Sequence, residues 1–355
     1  MSKESSNGTY LMIPLLGIII SLLLLPKLWI YMFLIADIST SWILFESKTY
    51  DAYHEYMVSN LNERPELSIP ELQAENFTRE DILRLSKGFT FPVVIRGVLV
   101  NSSGVKEWAN STWWIDNYSN EGILCGTLNN VRPECTVKDF FDEIQNNNSF
   151  YISGASKIFD RHPQLAEMVE DGKLKTIEPG ERVTTQIFMG LKDMGSDIHA
   201  AMGVNIFRQI VGVKKWWFIP PSQTAYLKPS LNVNGFSAHT HTLVGKDGEQ
   251  ESPWMSKLER YTSTLYPGDV LINPPWFWHG ILNLGDQSSD LVIGVPTRYN
   301  SGSVILTAFR SNPILTALAV AVVFYNNARN GFQSFGDVED KIQANRVARM
   351  VNSEE

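Results

Sequence analysis

Cysteine is nearly absent: the 355 residues hold only Cys125 and Cys135. That excludes a disulfide-rich scaffold and a zinc site built on CxxC pairs. The two thiols can close one small loop or stand unpaired, and the sequence leaves both open. Charge is sparse at 19%, and the net charge is −8. An acidic chain with no Lys/Arg stripe and no interleaved aromatics excludes nucleic acid as the main partner. There is no internal repeat and no low-complexity tract, so a repeat array is excluded. What remains is rich in hydrophobic (44%) and aromatic (11%) residues. It is long enough for one large domain or two small ones around a sizeable core.

Polar residues are missing from one long stretch. Leu11–Ala36 carries a single charge, Lys27, and exceeds the roughly 20 helical residues that span a bilayer core. Lys27 can snorkel to an interface that suits Trp29 and Tyr31. A signal peptide with Leu11–Leu25 as its apolar part is the competing reading. No small-x-small cleavage signal follows, so an uncleaved transmembrane anchor is expected. Asn-x-Ser/Thr sequons follow the run at Asn76, Asn101, Asn110, Asn117 and Asn147, against Asn7 before it. With the cysteine pair they tilt the expectation towards a lumenal or extracellular domain, although an Asn-rich chain acquires such triplets by chance.

The expected organisation is a tail at 1–10, the anchor at 11–36 and a polar connector at 37–68. A globular domain follows at 69–300. Within it, Asn76–Ser86 and Thr136–Ile144 read as capped helices, with Thr78 followed by Asp81 in the first. Phe91–Val100 and Ser149–Ser153 read as strands, and His162–Glu170 as a further helix. A polar insertion, Asn232–Ser256, carries His239 and His241, which read as loop residues. The apolar stretch 303–325 is broken by Arg310 and Asn312–Pro313. Its remainder is short for a span and reads as a packing helix, a homodimer-forming helix or a second membrane pass. A charged surface tail, 326–355, ends the chain.

Two strand-rich stretches dominate, Gln186–Pro221 and Tyr266–Pro296, each broken by Gly, Pro and Asp. Each places one histidine, His199 and His279, where a strand gives way to a turn. Two such histidines about eighty residues apart are what a double-stranded β-helix brings together at its barrel mouth.

From Ile69 to Arg298 the chain resembles the JmjC/cupin-8 family of iron- and 2-oxoglutarate-dependent oxygenases. The resemblance rests on PVVIRGVL, on the series His199, Asn205, Gly212, Lys214, Trp216, Pro220–Pro221, and above all on PGDVLINPPWFWHGILNL. It implies an α+β fold centred on a cupin, or jelly-roll, barrel with flanking helices. It also implies Fe(II) held by two histidines and a carboxylate, with 2-oxoglutarate beside it. Carried over by position, His199 and His279 are the metal ligands, Lys214 pairs with the cosubstrate's far carboxylate, and Asn205, Ser196 and Tyr151 line its pocket. Gly294 stands where some relatives carry a cosubstrate-binding asparagine. The carboxylate position is Ala201, and a methyl group binds no metal.

Three readings of that loss stay open. The site is dead; or the vacancy accepts an exogenous ligand such as chloride, as in iron halogenases; or another carboxylate substitutes. Asp197 is the candidate for the last, two residues before His199 and on its face if the strand is regular. The expected function is therefore a membrane-bound 2-oxoglutarate-dependent oxygenase, hydroxylase-type or halogenase-like, with lipid as a partner through its anchor and a substrate the sequence does not reveal. The rival is a catalytically silent cupin domain acting as a membrane-tethered binding module.

Overall fold

The computed structural model describes residues 48–127, 130–146, 150–232, 235–240, 252–285, 290–299 and 302–330. The apolar run 11–36, His241 and the end of the charged tail lie outside them. Among the described residues no helix is long and apolar enough to cross a membrane. The stretch after Tyr299 instead forms two helices, Gly302–Ser311 and Pro313–Asn330, broken at the Asn312–Pro313 step that the sequence marks.

In chain order the strands are β1 (Glu66–Ser68), β2 (Glu71–Gln73), β3 (Val93–Arg96), β4 (Gly122–Thr127), β5 (Asn130–Thr136), β6 (Tyr151–Ala155), β7 (Arg182–Thr185), β8 (Ile187–Leu191) and β9 (Gly195–Ala201). They continue as β10 (Val204–Val211), β11 (Val213–Ile219), β12 (Pro229–Leu231), β13 (Ser237–Thr240), β14 (Arg260–Leu265), β15 (Val270–Asn273), β16 (Trp278–Gly285) and β17 (Leu291–Tyr299). They form two sheets. The smaller runs β1-β14-β11-β16-β9-β13-β12; the larger runs β2-β3-β15-β10-β17-β8-β6-β4-β5, with β7 also on β17. The inner faces meet in a cluster that includes Phe207 and Leu271 from the larger sheet and Trp216 and Phe218 from the smaller. This is the double-stranded β-helix that the spacing of the histidines anticipates.

Period-two alternation decides which side chains enter it. On β10, Phe207 points inwards, while Ile206 and Ile210 join the core outside the larger sheet. That outer core is closed by the segments between β3 and β7, including Trp108, Trp114, Phe140 and Phe141. Two of its helices start as the sequence predicts. Thr78 and Thr136 each close a capping box, over Arg79–Leu85 with Asp81 and over Val137–Gln145 with Asp139, each cap contributing about 1 kcal/mol. The strand expected at Phe91–Val100 shortens to β3, because Gly97 turns the chain at φ +68°. The helix expected at His162–Glu170 shortens to Gln164–Glu167.

The smaller sheet is covered by the C-terminal helices and by a helix at Lys48–Ser59, inside the segment read as a connector. Met57 packs in one cluster with Trp278, Ala308, Leu315 and Ala319. Thr224 is the polar fastener there: Trp278 Nε1 donates to its hydroxyl at 2.8 Å and Asn312 Nδ2 at 3.1 Å. Thr224→Val leaves two buried donors unpaired, so it should cost roughly 2 kcal/mol. A urea midpoint lowered at constant slope would show it; an unchanged midpoint would remove Thr224 from that role.

The cysteine alternatives are settled. Cys125 on β4 and Cys135 on β5 are disulfide-bonded and almost fully buried.

Candidate functional site

Three adjacent strands align three histidines. His279 on β16 pairs with His199 on β9, which pairs with His239 on β13. His239 therefore belongs to the sheet, not to an exposed loop; hydrogen-bonded pairing with β9 overrides the polar composition of its segment. The His199 and His279 rings lie 4.2 Å apart, and His239 lies 6.1 Å from His199. Each of the first two has Nδ1 2.9 Å from the carbonyl two residues before it, on Asp197 and Phe277 respectively. A carbonyl only accepts, so Nδ1 carries the proton and Nε2 is the unprotonated nitrogen of each ring. Burial, reinforced by the charge of Arg298, pushes His279 down to about 4. It is neutral near pH 7, as a metal ligand must be.

The turn before β16 aims this histidine. Trp276 sits in the left-handed region at φ +57°, which costs a bulky residue on the order of 1 kcal/mol or more. Two hydrogen bonds hold it: its N–H donates to the Ala201 carbonyl at 2.7 Å, and its Nε1 donates to Thr316 at 2.8 Å. Ala201 is thereby tied to the turn before β16, with its Cα opposite Ser237 on the other side. The missing carboxylate stands at a rigid backbone position.

Asp197 does not replace it. His199 pairs with His279, but the next pair is Ser196 with Ile281. Three residues of β9 oppose two of β16, which is a β-bulge. The bulge carries Ser196 onto the face of His199 and leaves the Asp197 side chain exposed, so the regular alternation that would aim it at the metal is broken. Among the described residues no three His, Cys, Asp or Glu side chains are grouped to hold a metal ion, so neither Asp197 nor His239 completes a triad.

Beyond the histidines the inner face of β16 continues to Ile281, beside Ser196, and Asn283, beside Lys214 on β11. Lys214 is 2% exposed, and its Nζ lies 5.2 Å over the Phe207 ring. Burial alone pushes the amine down to about 7; no acidic side chain among the described residues offsets it. Four inward positions carry buried polar atoms without a hydrogen-bond partner among the described residues: Ser196 Oγ, Asn205 Oδ1, Asn273 Oδ1 and, on the residue paired with Lys214, Asn283 Oδ1. Asn273, opposite Asn205 on β15, brings its Nδ2 to 3.3 Å from His279 Nε2. It is a site residue that sequence reasoning missed, and its only signal was its place at the inward end of the strand before PPWFWH.

Tyr151 on β6 lies across Gly190 of β8, where any Cβ would overlap its ring. Burial raises its phenol above the usual range, so it is a neutral group. Gly294 of β17 has the opposite use. A Cβ there would overlap the Phe207 ring, so Phe207 occupies the corner where the resemblance places an asparagine.

The residues present fit a two-nitrogen metal site, with a buried cation further along the same inner face. His199 and His279 present Nε2 as the unprotonated nitrogen, that of His279 beside the Asn273 amide at 3.3 Å. Lys214 offers one buried cation and Ser196 an unused hydroxyl donor, both suited to a carboxylate, whereas the unpaired Oδ1 of Asn205 only accepts. The protein offers no third metal donor among the described residues.

Comparison with known proteins supplies context. Residues 86–301 match the family model described as a cupin-like domain. The HSPB1-associated protein 1 homolog of Danio rerio is 36% identical over 78 residues, 22% of this chain and 17% of that protein. Human HSPB1-associated protein 1 is 32% identical over 78 residues, 22% of this chain and 16% of its own length. The tRNA wybutosine-synthesizing protein 4 of Neurospora crassa is 24% identical over 247 residues, 62% of this chain and 19% of the relative. The chain thus spans less than a fifth of each of these proteins.

Proposed function

The chain belongs to the cupin-like domain family, and from that premise we propose that its barrel is the site of a 2-oxoglutarate-dependent oxygenase with an iron centre held by two histidines. One observation carries the reading. Lys214 is a buried cation with no anionic partner among the described residues. A fully buried ammonium is costly unless paired, so an electrostatic gap of this kind implies an anion from outside the chain. The far carboxylate of 2-oxoglutarate meets that need, with the unused Ser196 hydroxyl as a further donor.

His199 and His279 would hold Fe(II), which when bound supplies the redox chemistry between oxygen and the oxo acid. The chain's own part is binding and orientation. Carbonyl-anchored Nδ1 atoms fix both rings, and Trp216 stacks 5.5 Å from His279. Lys214 and Arg298 make the barrel interior electropositive, which favours a small anion such as chloride in the place that Ala201 leaves. The apolar run 11–36 would tether the domain to a membrane, and the substrate stays unspecified.

The rival is a binding module without turnover. It is favoured by Ala201 and by the Phe207 ring beside Gly294, which takes the corner of one cosubstrate contact. Metal analysis of protein purified without chelator, with 2-oxoglutarate and chloride present, separates the two. Stoichiometric iron retained only with the oxo acid supports the enzyme. Oxo-acid binding with no iron supports the module.

A further inference from the structure

Four of the six sequons lie among the described residues, and all four asparagines are exposed: Asn76, Asn101, Asn110 and Asn117. They share one side of the domain. Their neighbours Phe77, Leu99, Trp108, Trp114 and Tyr118 pack into the core outside the larger sheet. The first helix among the described residues, Lys48–Ser59, lies on the opposite side, where Met57 packs outside the smaller sheet. The exposed asparagines thus lie on the side away from that helix. Their local bonds tolerate a substituent. Asn110 caps the helix Ser111–Tyr118 through Oδ1, which accepts from the Thr112 N–H at 2.9 Å, leaving Nδ2 outside the cap. Asn117 Nδ2 donates to the Trp113 carbonyl at 2.8 Å, and a substituted amide retains one N–H for that bond.

The disulfide is an independent observation pointing to the same compartment. A bridge between buried Cys125 and Cys135 forms and persists where thiols are oxidised, and is rare in the cytosol.

We infer that Asn76, Asn101, Asn110 and Asn117 are N-glycosylation sites, on a domain that folds in the oxidising compartment beyond the membrane. The donor is a lipid-pyrophosphate-linked oligosaccharide. The asparagine Nδ2 forms a bond to the anomeric carbon and loses a proton, while the bond from that carbon to the pyrophosphate oxygen breaks and the lipid pyrophosphate leaves. The two thiols separately give two protons and two electrons to a thiol–disulfide oxidant.

The test is translation of the full chain into microsomes from the endoplasmic reticulum, followed by a peptide N-glycosidase and non-reducing peptide mapping. Stepwise mass increments should collapse on glycosidase treatment. Each of Asn76→Gln, Ser103→Ala, Thr112→Ala and Ser119→Ala should remove one step. The hydroxyl is removed at the Asn110 sequon because Asn110 caps a helix, and the asparagine at the first because Thr78 does. Cys125 and Cys135 should map as one linked pair. A membrane-inserted chain with no glycosidase-sensitive increment and two alkylatable thiols would overturn the inference. So would increments left unchanged by all four substitutions.

Discussion

Lys214→Met should weaken 2-oxoglutarate binding by more than roughly 100-fold, since breaking a buried charge pair costs about 3 kcal/mol or more. The same substitution should stabilise the ligand-free protein. Burial lowers the amine from 10.5 to about 7, so between those values the unfolded chain binds more protons than the folded one. Stability then rises with pH across that window, and the burden of the buried ammonium is fully present below about 7. The methionine variant lacks this slope, and its melting temperature at pH 7 should lie several degrees above wild type, at roughly 2–4 °C per kcal/mol for a domain of this size.

Binding should show the converse dependence. The cosubstrate needs the ammonium, so affinity should be flat below about pH 7 and fall about tenfold per unit above it. Lys214→Arg, charged throughout, should abolish that fall. Calorimetry across pH 6–9 reads all three curves. Equal affinity in wild type and Lys214→Met would refute the proposed pocket, whatever the stability data show.

The second large effect is expected at Ala201. Its backbone is already held, by the Trp276 N–H on one side and by pairing with β13 on the other. Ala201→Asp therefore sets a carboxylate two residues after His199 without asking the strand to move. Fe(II) affinity should rise by roughly tenfold or more, because a hard anionic donor joins two neutral nitrogens. Metal-free, the variant should melt below wild type and regain stability with Fe(II), since a half-buried carboxylate without its cation is unfavourable.

Conversion of 2-oxoglutarate to succinate then discriminates between the readings. A decayed site should gain uncoupled turnover that wild type lacks. A site that uses an exogenous anion should lose its chloride dependence. Iron absent from both proteins would end the oxygenase proposal and leave the binding module.

Much of the barrel is readable from local pattern. Short apolar segments punctuated by Gly, Pro and Asp specify strands and turns wherever they sit, and threonine followed three residues later by aspartate specifies two helix starts. Helix ends and edge strands are less legible. The helix Lys48–Ser59 offers only a short stripe, Tyr50, Tyr53 and Met57, inside a polar segment, and Met57 packs with the C-terminal helices. His239 reads as loop because its segment is polar, yet an open strand edge beside β9 recruits it.

By itself the sequence set His199 and His279 at strand ends about eighty residues apart, and the family resemblance carried by the surrounding motifs implied the vacancy at Ala201 and the candidacy of Lys214. Only the tertiary structure decided the fate of Asp197. A one-residue bulge reverses which side chain faces inwards, and a bulge depends on pairing with a strand eighty residues away. The same holds for Asn273, which becomes a neighbour of His279 through sheet register, and for Phe207, which fills the corner at Gly294. Burial of Lys214 is likewise a property of both sheets together, since a lysine in a turn-rich sequence is exposed unless a second layer closes over it.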